Sequence, residues 1–164
     1  MQLDEVIADL MRASGDRLLR LAYQLCHDRA GAEDLVQEAL TRVYGSWLRR
    51  APSIDNREAY VRRAILNEYL RRRRLRSASE VVTDEVPDYG VDAVDVAARE
   101  DLWHALGTLP ARQRAVLVLR YYEDLPDREI AEALGCGEST VRAHAARALA
   151  ALRTHLDDSE EVLP

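Results

Sequence analysis

In the stretch "EIAEALGCGESTVRAHAARAL", residues 129–149, the side chains able to recognise another molecule are Ser139, Arg142 and Arg147, interleaved with Ala143 and Ala146. An arginine fork can donate two parallel hydrogen bonds to guanine or bind a phosphate, and small residues beside it let a helix backbone approach base edges. A helical hairpin built only for packing has no reason to combine small residues with Arg on one face. The spacing points to DNA recognition.

Two further groups of polar residues have a bland explanation as well as a sharp one. The run "RRRRLR", residues 71–76, suits a phosphate backbone, and equally suits a solvated helix end that complements the helix dipole. Asp34, Gln37 and Glu38 lie off the apolar stripe of their own helix, as a docking face or a solvated one would. No Ser/His/Asp set, phosphate loop or metal cluster stands out, and Cys26 and Cys136 with four histidines form neither a disulfide framework nor a metal set. The sequence therefore predicts no enzyme, no catalytic residue, no cofactor and no metal.

The elements that must position these groups are helices. "LLRLAYQLC", "AEDLVQEALTRVYGSWL" and "EAYVRRAILNEYLRR" space apolar residues by three and four, and no alternating strand pattern competes. Leu35, Ala39, Val43 and Trp47 share one stripe. Pro52 in "APSIDN", residues 51–56, interrupts the helical pattern, and Asn56 or Asp55 can cap the next helix. In the opening stretch Ile130, Ala131 and Leu134 form an inner face, and Gly135 stands where a left-handed cap needs a residue without Cβ. Gly137 can cap a second helix, whose Val141, Ala145, Ala148, Leu149 and Leu152 recur at helical spacing. Two short helices joined by so tight a turn make a helix-turn-helix, whose second helix enters the major groove.

Charge divides the chain. Its net charge of -6 argues against nucleic acid until it is counted by segment. Residues 1–76 carry 15 Arg against 11 acids and residues 102–156 carry seven against six, whereas residues 77–101 carry one against eight. The tail from residue 157 holds four acids and no base. Such asymmetry points to basic modules joined by an acidic linker. "SASEVVTDEVPDYGVDAVD", residues 77–95, lacks helical period, and its 19 residues can reach roughly 65 Å when extended. The expected architecture is all-α, with two small helical domains at 1–76 and 96–156, a flexible acidic linker at 77–95 and an acidic, disordered tail at 157–164. The N-terminus "MQLDEVIADLMRASG" is acidic where a signal peptide is basic, and no apolar run approaches a membrane span, so the expected location is the cytoplasm, with no membrane insertion.

At two places the sequence resembles one known family. "HDRAGAEDLVQEALTRVYGSW" resembles the second conserved region of bacterial extracytoplasmic-function sigma factors, which runs D-x-x-x-A-E-D-L-V-Q-E. "LPARQRAVLVLRYYEDLPDREIAEALGCGESTVRAHAARALAALR" resembles their fourth region, with its L-P-x-x-Q-R opening and E-I-A-x-x-L-G-x-x-x-x-T-V-R core. Together the two cover most of residues 12–154, and their details are most similar to an actinobacterial subgroup.

The resemblance implies a transcription initiation factor that binds RNA polymerase core and promoter DNA. It implies that Asp34, Gln37 and Glu38 dock on the clamp helices of the largest polymerase subunit, and that the second domain meets the beta flap. The loop with Ser53, Ile54, Asp55 and Asn56 would capture a flipped base of the minus-ten element, with Arg62, Arg63, Asn67 and Arg71 as its platform. Ser139, Arg142, Ala143 and Arg147 would contact the minus-thirty-five element, with Thr140 or a helix N-terminus on phosphate. An anti-sigma protein covering these surfaces is a further expected partner. Pro126 departs from the family's usual Ser or Thr cap, which leaves Asp127 as the candidate cap. Trp47, Tyr60 and Tyr69 can stack on unpaired bases, although for Trp47 and Tyr60 core packing explains the residue equally well. His144 can touch DNA or simply lie at the surface. A free-standing helix-turn-helix regulator would explain residues 111–153, but not the "AEDLVQE" motif or the Arg-rich helix.

Overall fold

The computed structural model describes residues 2–49, 56–78 and 96–161. Among them there are seven α-helices, one π-helical turn and no strand, so the expected all-α class holds. The chain divides into two compact units, Met1–Val81 and Val82–Pro164.

The first unit is three helices, α1 (Leu3–Cys26), α2 (Arg29–Arg49) and α3 (Arg57–Ala78), each packed on the other two. Between α1 and α2 the chain reverses at His27, which sits in the left-handed region with φ 58 and donates its N–H to the Tyr23 carbonyl. Asp28 then starts α2: its Oδ2 accepts the Gly31 N–H at 2.9 Å, satisfying an amide that the first turn leaves without a helical partner. A Cβ on Gly31 would stand 2.8 Å from that oxygen, so a larger residue there would push the Asp28 carboxylate aside. Leu18, Leu21, Ala22 and Leu25 of α1 bury against Leu35, Ala39, Val43 and Trp47 of α2 and Val61, Ile65 and Leu66 of α3. The whole expected stripe of α2 is thus core. Asn56 caps α3, its Oδ1 accepting the Ala59 N–H at 3.0 Å, while Asp55 lies outside the described residues.

The second unit contains α4 (Val96–Thr108), α5 (Ala111–Leu117), α6 (Asp127–Leu134) and α7 (Glu138–Glu161). Ala105 and Leu109 meet Leu117 of α5 and Ala148 and Leu152 of α7 in one apolar cluster. The last turn of α5 widens into a π-turn at Val118–Tyr122, where the Glu123 N–H reaches the Val118 carbonyl at 3.1 Å. Asp124 follows at φ 52, which turns the chain towards α6.

Three expectations are corrected. Leu149 is 38% exposed, because it lies a quarter-turn away from the face on which Val141, Ala145, Ala148 and Leu152 are buried. Asp127 does not cap α6: it is the first helical residue, Pro126 holds the cap position, and the Asp127 carboxylate is turned to Arg120 at 2.5 Å. The helix α7 continues into the acidic tail as far as Glu161, so residues 157–161 are helical rather than disordered.

Candidate nucleic-acid and polymerase interfaces

The helix-turn-helix forms as its glycines require. Gly135 ends α6 at φ 67, ψ 38, with its N–H on the Ala131 carbonyl, and Cys136 donates to the same oxygen at 3.0 Å. This left-handed residue costs a Cβ-bearing side chain about 1–2 kcal/mol, which explains the glycine. Gly137 precedes α7, and its carbonyl accepts the Val141 N–H at 3.1 Å. With Val141, Ala145 and Ala148 buried, Ser139, Thr140, Arg142 and Arg147 are exposed and Ala143 is half-buried. The side chains expected to meet DNA therefore share the outward face of α7.

His144 sits at the edge of that face, half-buried, and its pKa is lowered by burial and by the nearby positive charges of Arg112 and Arg147. Neutral imidazole is therefore favoured there.

In the first unit the helices α2 and α3 enclose a cleft of about 430 Å³ lined by Arg42, Tyr60, Arg63, Asn67, Glu68 and Arg71 among others. It gathers three expected platform residues, Arg63, Asn67 and Arg71, while Arg62, half-buried, is not part of its lining. Asn56 is exposed at the start of α3, whereas Ser53, Ile54 and Asp55 lie outside the described residues. Tyr60 is exposed beside the cleft. Its hydroxyl is 3.1 Å from the Ser46 hydroxyl, and its ring lies 5.8 Å from that of Trp47. Trp47 and Tyr69 are both buried, which leaves Tyr60 alone of the three aromatic candidates with a face open to a base. Tyr69 as a stacking platform is thereby corrected: its position on α3 turns it into the core with Ile65 and Leu66.

Glu68, which the sequence does not single out, lies at the centre of the cleft. Its side chain is only 1% exposed, yet it meets three guanidinium groups. Arg71 donates through Nη2 to Oε1 at 2.6 Å and through Nε to Oε2 at 3.1 Å, the two-pronged geometry that a carboxylate binds best. Arg72 Nε donates to Oε1 at 3.2 Å, and Arg42 Nε, from α2, lies 3.3 Å from Oε2. The Arg71 hydrogen bonds hold the Glu68 pKa below the ordinary carboxylate value. Arg72 and Arg42 act in the same sense, against a burial effect that favours the neutral acid.

The three residues expected to dock on polymerase lie on α2. Asp34 and Gln37 are exposed, and Glu38 is half-exposed with its Oε1 3.4 Å from Arg42 Nε. All three face away from the stripe that packs on α1 and α3.

Comparison with known proteins identifies the family of both units. Residues 10–79 match sigma-70 region 2, and residues 99–152 match sigma-70 region 4. An RNA polymerase sigma-E factor of Streptomyces avermitilis is 39% identical over 156 residues, covering 93% of this chain and 86% of the relative. The ECF RNA polymerase sigma factor SigE of Mycolicibacterium smegmatis is 36% identical over 157 residues, covering 90% and 60%. The fold is similar to that of the sigma factor RpoE from Bartonella quintana, solved with the anti-sigma factor NepR, at TM-score 0.72 and 21% identity over 93% of this chain and 98% of that one. With both conserved regions present and relatives of this identity along nearly its whole length, the chain belongs to the sigma-70 family as an extracytoplasmic-function sigma factor, a transcription initiation factor that directs RNA polymerase to promoters.

Proposed function

We propose that the two units divide promoter recognition between them, with no catalysis by the chain itself. Residues 1–76 form the domain that docks on polymerase through Asp34, Gln37 and Glu38 and holds the opened minus-ten element on Asn56, Arg62, Arg63, Asn67 and Arg71. Ser53, Ile54 and Asp55 complete the base-capturing loop. Residues 96–156 form the domain that meets the beta flap and contacts the minus-thirty-five element through Ser139, Arg142, Ala143 and Arg147, with Thr140 on phosphate. Residues 77–95 are the linker, residues 157–164 an acidic tail, and the protein acts in the cytoplasm. An anti-sigma factor is a natural partner, because the structural relatives RpoE and CnrH were each solved in complex with another protein, the anti-sigma factor NepR and the cytosolic domain of CnrY.

The observation that carries this reading is the outward face of α7, where Ser139, Thr140, Arg142 and Arg147 stand exposed over the buried Val141, Ala145 and Ala148. Run-off transcription from a genomic fragment library, by actinobacterial core polymerase with and without the protein, tests it. New starts sharing two upstream motifs are the expected result. No new starts, with sequence-specific DNA binding by the protein alone, would instead indicate a free-standing regulator. No helix among the described residues is long and apolar enough to cross a membrane.

A further inference from the structure

Among the described residues of the first unit, Glu68 is the charged residue that is buried, at 2% exposure. A carboxylate so deeply covered is costly unless its oxygens are satisfied, and one arginine in two-pronged contact would neutralise its charge. Here Arg71, Arg72 and Arg42 all converge on it, so each oxygen serves two guanidinium groups. Arg42 is also shared with Glu38 at 3.4 Å. Three cations on two carboxylates leave an excess of positive charge at the cleft, and Arg63 adds to it. The arrangement joins α2 to α3 through a single carboxylate. It fixes long side chains that would otherwise be spread over many rotamers, and ordering them in advance lowers the entropic cost of binding a ligand.

We propose that Glu68 is a positioning residue for promoter opening: it holds Arg71 and Arg72, and recruits Arg42 from α2, into one preset cationic cradle for the phosphates of a single DNA strand. The proposal rests on the assignment of α3 to the opened minus-ten element given above. Arg42 lies between Glu38 of its own helix at 3.4 Å and Glu68 of α3 at 3.3 Å, and the Glu68 contact is the one that joins it to Arg71 and Arg72. Glu68 touches no DNA; its effect passes through the arginines that it orients.

The test uses holoenzyme assembled with actinobacterial core polymerase. Its probe is a fluorescent single strand carrying the minus-ten element of a promoter found by run-off transcription. Affinity is followed as a function of salt, because each phosphate contact contributes about 0.7 to the slope of log affinity against log salt. Glu68→Gln separates positioning from simple charge. Removing a negative charge beside a bound anion would tighten binding and steepen the slope, whereas releasing the arginines weakens binding roughly tenfold and makes the slope shallower. Unchanged or tighter binding by Glu68→Gln overturns the proposal.

Glu68→Gln can also perturb packing, so Arg42→Gln serves as a second variant; its side chain is 55% exposed and lies outside the apolar core. It is expected to weaken the strand and lower the slope by one contact, and to add little further loss in the Glu68→Gln background. Wild-type affinity for Arg42→Gln overturns the recruitment of α2. Loss of strand binding in Arg63→Ala and Asn67→Ala, alongside an unaffected Glu68→Gln, sinks the positioning role while leaving the minus-ten reading intact. Strand binding indifferent to all of these variants overturns both.

Discussion

Arg120 in the π-turn donates through Nη2 to the Asp127 carboxylate at 2.5 Å, tying the end of one helix to the first residue of the helix-turn-helix. Both side chains are about three-quarters covered, so water screens the pair only in part. Asp127 also lies in the first turn of α6, where a negative charge is favoured by the helix dipole, and it raises the Arg120 pKa. The widened turn lets Arg120 face α6. The pair thus adds a polar tie to the apolar contacts that Ile130, Ala131 and Leu134 of α6 make with the core.

A double-mutant cycle on Arg120→Ala and Asp127→Ala is expected to give a coupling of about 1 kcal/mol in unfolding. Either variant should also weaken minus-thirty-five binding by the holoenzyme. A coupling near zero would mean that α6 is oriented by its apolar face alone.

At Gly135 the added Cβ of an alanine meets nothing within 4 Å, so the cost of Gly135→Ala comes from the positive φ alone. It should destabilise the fold by about 1–2 kcal/mol, and Gly135→Asn by less, because Asn tolerates the left-handed region. Thermal unfolding that ranks Ala at or above Asn would contradict this account.

Local chemistry was legible in the sequence where a residue answered to its own helix. Gly135 could be placed because a left-handed cap favours glycine, and Leu35, Ala39, Val43 and Trp47 because their period fixes a face. Asp28 belongs to the quoted motif, yet its role as cap of α2 emerged only with the Gly31 contact. Glu68 was illegible for a physical reason. Within "NEYLRRRR" it has the spacing of an ordinary solvated pair with Arg71 and Arg72, and its burial depends on α2 packing over α3 and bringing Arg42 from 26 residues away. Tyr69 misled for the same reason, since its face on α3 is decided by the neighbouring helices rather than by its own chemistry. Asp127 was misplaced because the π-turn that delivers Arg120 to it leaves no mark in the apolar period.

Arg142 is exposed on the outward face of α7, the face proposed to meet the minus-thirty-five element. Arg142→Ala in the holoenzyme should cost about 1–3 kcal/mol at the preferred promoter and relax one base position of the upstream element. A panel of single-base promoter variants distinguishes this from a phosphate contact, whose loss would lower affinity evenly across all sequences.

His144 gives the fold a pH dependence whose sign can be worked out. Burial, with Arg112 and Arg147 beside it, places its folded pKa below the unfolded value of about 6.5. Above that value the imidazole is neutral in both states and its packing contributes fully. As pH falls below about 6.5 the unfolded chain takes up the proton first, so stability declines until the folded pKa is passed. Thermal unfolding of the wild type should therefore lose more stability between pH 7 and pH 5 than His144→Gln, in which His27, His104 and His155 are retained as common background. Because protonation would place a third cation beside Arg112 and Arg147, the same acidification should destabilise α7 rather than strengthen its hold on DNA. Equal pH slopes for the two proteins would show that His144 is solvated in the native state and that the arginines do not act on it.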